Sequence, residues 1–112
     1  MTFRRPSTPP APSETNIRRA IIYALKLHPR VSWVHENNIN TKGRSHYGLG
    51  DGSPDILFIF RGGRVGWIEC KTPIGKLSTV QLEWRAEHRA NGEFVECARS
   101  PQEAVDAVSS AK

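Results

Sequence analysis

The stretch GSPDILFIFRGGRVGWIECK, Gly52 to Lys71, decides how this chain is read. Two apolar runs flank Arg61-Gly62-Gly63-Arg64. A glycine pair between two such runs is a hairpin signal. Asp55 opens the first run, and Glu69 and Lys71 close the second. Charges at the ends of core strands need partners, because a buried unpaired charge is costly.

Glu69 and Lys71 are two residues apart, so on a strand both point to one face while Cys70 points to the other. Two carboxylates beside a lysine at strand ends suit a hard divalent cation with oxygen ligands. A lysine there can orient or deprotonate a water, or stabilise charge growing on a phosphate. The alternative is a surface ion pair of Lys71 with Asp55 or Glu69, a common and weak interaction. Register separates the two. A two-residue Gly-Gly turn would set Asp55 opposite Cys70, on the wrong face. A shared site therefore requires an odd-numbered loop or a bulge. The expectation is a three-residue loop centred on Gly63, with Asp55 opposite Lys71.

Working outward, Ile17, Ala20, Ile21, Ala24 and Leu25 recur at helical spacing behind Ser13, a plausible N-cap, and Pro29 limits that helix. VSWVH, Val31 to His35, alternates as a strand. The polar, Gly-rich segment ENNINTKGRSHYGLGDGS reads as a loop or a loose hairpin. It carries Lys42, Arg44, His46 and Tyr47, which either contact a nucleic-acid backbone or form a solvated loop. Lys76, after Lys71, is a similar phosphate candidate, and Asp51 among its glycines reads as a turn residue. Ser78 and Gln81 have capping-box spacing, and Gly92 stops the helix that follows. EFVECA is a further strand; Ser100, Pro101 and Glu103 start a last helix.

The 112 residues suffice for one small domain. Residues 1–12 are Pro-, Ser- and Thr-rich and read as a disordered arm, with the domain over 13–112. That arm has no apolar stretch behind its arginines and is not read as a secretory signal. No apolar run approaches the roughly 18 residues of a membrane span. Neither Cys70 nor Cys97 has a second Cys or His at zinc spacing, and both read as reduced core thiols of a cytosolic protein. Trp33, Trp67 and Trp84 are expected in the core or on a dimer face. Phosphate-loop, dinucleotide and hydrolase-elbow motifs are absent. The net charge of +5 is compatible with a polyanionic partner.

Gly52-Ser53-Pro54-Asp55 followed by Ile68-Glu69-Cys70-Lys71 resembles the PD-(D/E)XK nuclease motif. The Gly-containing turn, the Gly-Lys-Leu-Ser loop, Gln81 opening a helix, Gly92, and Arg99-Ser100-Pro101 look like its VRR-NUC branch, over roughly Glu14 to Val108. The resemblance implies an α/β, restriction-endonuclease-like core: a mixed central sheet flanked by helices in the order α-β-β-β-α-β-α. It implies phosphodiester hydrolysis with Mg2+ or Mn2+ and no small-molecule cofactor. Lys71, Glu69, Asp55, Glu14 and Gln81 match the catalytic set. Asp55, Glu69, the Cys70 backbone carbonyl and Glu14 match the metal ligands. Gln81 is equally explained as a helix cap, and Glu14 as a carboxylate favoured by the helix dipole. Stand-alone, phage-like members resemble Holliday-junction resolvases, which implies a cytoplasmic homodimer cutting branched DNA in a bacterial or phage-infected cell. The alternatives are a nuclease on flap or linear duplex DNA with a separate helicase, and a non-catalytic DNA-binding domain of the same fold.

Overall fold

The computed structural model describes residues 12–41, 44–47 and 52–112. The segment read as a disordered arm, Arg4 and Arg5 included, lies outside them except for Pro12, as do Lys42 and Asp51. Ser13 opens the first helix, α1 (Glu14–Leu27), where its hydroxyl accepts the Asn16 N–H at 3.1 Å. Ile17, Ile21 and Leu25 form the buried stripe of α1. Pro29 follows, and β1 (Val31–Glu36) begins two residues later.

The segment left open as loop or loose hairpin contains a hairpin, β2 (Asn38–Thr41) with β3 (Arg44–Tyr47), paired as a separate two-stranded sheet. The remaining strands are β4 (Ile56–Phe60), β5 (Val65–Cys70) and β6 (Phe94–Ala98). The main sheet has the order β1-β4-β5-β6, with β1–β4 and β4–β5 antiparallel and β5–β6 parallel. The β5–β6 crossover passes through α2 (Thr79–Ala90), and α3 (Pro101–Ser110) closes the chain. Setting the small hairpin aside, this is the α-β-β-β-α-β-α order and the mixed sheet expected.

One face of the sheet carries Ile56, Phe58, Phe60, Ile68, Cys70, Phe94 and Ala98, packed against α1 and against Ala104 and Val108 of α3. Burying such side chains contributes about 1.5–3 kcal/mol each before entropy is counted. The opposite face is covered differently. No residue of α2 is fully buried, and the helix is held by a polar-aromatic cluster instead. Trp84 meets Trp67 edge-on at 4.7 Å and stacks on His88 at 3.5 Å. Glu93 accepts from Trp67 Nε1 at 2.8 Å and lies 2.6 Å from His88 Nδ1. This cluster fixes α2 over β5. Trp33, by contrast, is 50% exposed and stacks on His35, so of the two places expected for it, core or dimer face, it is not in the core.

The hairpin register carries one correction. Ile59 pairs with Val65 and Ile56 with Ile68, and Phe60 N–H donates to Arg64 O at 2.9 Å. The loop is therefore Arg61-Gly62-Gly63, odd-numbered as required. It centres on Gly62 rather than Gly63. Gly62 (φ 103°) and Gly63 (φ 100°) both occupy the left-handed region where glycine is favoured. Extended one step past Ile56–Ile68, the register sets Asp55 level with Glu69, not with Lys71.

Candidate active site and metal centre

The sheet end beyond Ile56 and Ile68 is where the charges gather. Asp55 is 1% exposed and Glu69 5%. Asp55 is fixed from two sides. Its backbone carbonyl accepts Asn37 N–H at 2.7 Å, and its Oδ2 accepts Cys70 N–H at 2.8 Å. The Asn37 side chain donates to Ser53 Oγ and to Pro54 O, both at 2.9 Å, which sets the path of Ser53-Pro54 into β4. Asn37 is a buried part of the site that sequence reading missed. Its partners lie 16 and 17 residues away, so no local spacing marks it.

One carboxylate oxygen from each of Glu14, Asp55 and Glu69 lies within 4.8 Å of the others. Glu14 comes from the first turn of α1, so the helix N-terminus delivers a third carboxylate to the strand ends. Glu69 Oε1 accepts from Gln81 Nε2 at 3.0 Å and lies 4.0 Å from Lys71 Nζ. Glu69 Oε2 is buried with no hydrogen-bond partner among the described residues. Burial pushes the Glu69 carboxyl up to about 9, the neighbouring Asp55 carboxyl adds to this, and Lys71 opposes it. Three converging carboxylates, one buried oxygen still lacking a donor, and one lysine at 4.0 Å form an acidic excess that fits a hard divalent cation.

Gln81 makes a contact on each side of the alternative left open by the sequence. Its Oε1 accepts Ser78 N–H at 2.8 Å, completing the capping box, while its Nε2 holds Glu69. One amide therefore caps α2 and borders the site. Cys70 is buried in the core through its side chain. Its N–H points toward Asp55, and a strand residue directs its N–H and C=O to the same edge, so its carbonyl faces the carboxylates' side of β5. Cys97 is free like Cys70 but only half-buried, opposite Glu69 in the parallel register. It lines the small pocket beside Glu69 and Gln81, which corrects its reading as a core thiol.

Of the predicted nucleic-acid contacts, Lys42 lies outside the described residues. Arg44, His46 and Tyr47 lie on β3, opposite Thr41, Ile39 and Asn38. Lys76 is exposed in the connection between β5 and α2.

A solved structure titled "VRR_NUC domain" superposes with a TM-score of 0.65 at 20% identity, covering 88% of this chain and 97% of that one. The fold is that of a VRR_NUC domain. No protein-family profile and no curated protein matches the sequence. The VRR-NUC-like core expected from the motif is thus present, with its D…E-x-K residues at the strand ends where the three carboxylates meet.

Proposed function

We propose that the protein is a metal-dependent DNA endonuclease that hydrolyses phosphodiester bonds, with a preference for branched DNA and a homodimeric working form. The observation that carries the reading is the convergence of Glu14, Asp55 and Glu69, with Lys71 beside them, in a VRR_NUC fold. Asp55, Glu69 and the Cys70 carbonyl would hold the cation, with Glu14 completing the set. A divalent cation held there supplies Lewis-acid polarisation of the phosphoryl oxygen and favours ionisation of a water. The chain supplies the rest. Lys71, as the catalytic base or orienting group, aligns water for in-line attack on phosphorus. Gln81, which donates to Glu69 Oε1, would hold that carboxylate in place as a ligand. The 3′ oxygen leaves, and the 5′ side retains the phosphate.

Lys42, Arg44, His46, Tyr47 and Lys76 are proposed to contact the DNA backbone, in keeping with the net charge of +5. The branched-DNA preference and the dimer rest on the likeness to resolvases and on geometry: one site on one small chain cuts two strands symmetrically only as a pair. Mg2+ or Mn2+ is the proposed cofactor, and the cytoplasm of a bacterial or phage-infected cell the proposed location. No helix among the described residues is long and apolar enough to cross a membrane.

The test incubates purified protein with a four-way junction, a flap and a linear duplex, with Mg2+ or Mn2+, beside Lys71→Ala. Paired nicks at the junction alone support the resolvase form. Cleavage of flap or duplex instead supports the broader nuclease. Failure to cut any substrate with either metal leaves a DNA-binding domain and sinks the enzyme. A monomeric mass on DNA sinks the dimer.

A further inference from the structure

The turn after Lys71 is held by a residue with no part in the chemistry proposed above. Gly75 N–H donates to both the carbonyl and the hydroxyl of Thr72, each at 3.1 Å. Arg99 Nη1 then donates to Thr72 O and to Gly75 O, each at 2.6 Å. One guanidinium nitrogen therefore closes both ends of the turn. The residue before it, Ala98, accepts Lys71 N–H at 3.1 Å. Two consecutive residues at the end of β6 thus hold the chain at Lys71 and just beyond it.

The turn also runs beside the lysine stem. A Cβ added at Gly75 would stand 3.4 Å from Lys71 Cδ and 3.2 Å from Thr72 Oγ1, so Gly75 lies beside the Lys71 stem with about one carbon's space between them. Lys71 lies one residue beyond β5, where its backbone still bonds to Ala98 of β6 but its side chain is past the last strand residue. A lysine side chain is costly to order because of its rotamer freedom. Something must restrict it if its ammonium is to stay near Glu69. Arg99 is itself fixed, since its backbone N–H donates to Glu103 Oε1 at 3.1 Å in the first turn of α3. The chain of contacts runs from α3 through Arg99 and the Thr72–Gly75 turn to the Lys71 stem.

We propose that Arg99 is a positioning residue for Lys71. It acts through the turn and does not touch the substrate. Its kinetic consequence rests on the nuclease reading; its structural consequence does not. Neutral carbonyls bonded by a charged donor lose a strong interaction when that donor is removed. The turn then relaxes away from the lysine stem, and Lys71 samples more rotamers.

Two measurements test this. Reductive carbon-13 methylation gives each lysine an NMR signal, and Lys71→Arg identifies that of Lys71. In Arg99→Ala the Lys71 signal is expected to move toward those of exposed lysines, with circular dichroism and the other lysine signals unchanged. On whichever DNA the wild type cuts, kcat should fall about tenfold or more while KM stays within about twofold. Should Arg99→Ala fail to fold, Arg99→Gln is read in the same way. An unmoved Lys71 signal overturns the proposal even if cleavage falls, and so does a kcat within about twofold of wild type. If the wild type cuts no DNA, the nuclease reading fails and the NMR result alone decides the role of Arg99.

Discussion

Gln81 joins a helix start to a buried carboxylate: its Oε1 holds the Ser78 N–H at 2.8 Å and its Nε2 holds Glu69 at 3.0 Å. The two halves of one amide can be separated by substitution. Gln81→Glu keeps the acceptor for Ser78 but replaces the donor facing Glu69 with a second acidic group. Its melting temperature should remain near wild type while cleavage falls about 10- to 100-fold, the range for losing a group that orients a metal ligand. Gln81→Ala loses both halves and should also cost about 1 kcal/mol of stability. Thermal melts beside cleavage rates check both variants.

The Glu69 carboxyl gives a pH dependence with a definite sign. In the folded protein it keeps its proton up to about 9, against an ordinary value of 4.5. Between those values the folded state binds more protons than the unfolded state. Stability without metal therefore falls as pH rises from about 5 to about 9. Glu69→Gln should flatten that slope. A melting series from pH 5 to pH 9 in the presence of a chelator tests it, and a rising curve would contradict the assignment.

Divalent cations should act in the opposite sense. A cation bound only by the folded state stabilises by about 2.7 kcal/mol at a hundredfold excess over its Kd. Here it must displace the Glu69 proton, so the gain in melting temperature from Mn2+ should be larger at pH 8 than at pH 5.5. Asp55→Asn, which weakens the acidic cluster, should abolish most of the gain at both values.

Lys71→Ala removes the proposed base or orienting group without touching the carboxylates. Cleavage should fall by about 10²- to 10⁴-fold, the usual contribution of a positioned proton-transfer group. The Mn2+ shift in melting temperature should survive. Loss of that shift would place Lys71 in metal binding instead.

Gly66 tests the scaffold independently of the site. A Cβ there would stand 2.3 Å from the Phe58 ring, which is fully buried against Phe60 and Phe94. The ring cannot yield without disturbing both neighbours. Gly66→Ala should cost about 1–3 kcal/mol, as overpacking does, read from denaturant melts.

Much of this was legible in the sequence because it is written locally. Ser13, Ser78 and Ser100 each cap the helix their spacing announced. The two apolar runs around Gly62-Gly63 announced the hairpin, and the two-residue step from Glu69 to Lys71 put those two side chains on one face. Long-range detail was not written that way. Glu103 has capping-box spacing, yet its carboxylate takes the Arg99 N–H rather than that of Ser100. Asn37 and Arg99 each hold a loop by hydrogen bonds across the fold, and nothing in their neighbours reveals it. The centre of the Arg61–Gly63 loop was missed by one residue, because either glycine tolerates the φ that a turn demands.

That loop has a consequence for how the protein can vary. Side chains alternate faces along β4 and β5, so a slip of the β4–β5 register by one residue turns one strand over relative to the other. Asp55 would then look into the apolar layer of Ile17 and Ile21, or Glu69 and Lys71 would. A slip of two preserves both faces. What the loop must conserve is therefore the pairing of Ile56 with Ile68, not its own length: variants that keep this pairing keep the site, and those that slip it by one should be inactive however well they fold.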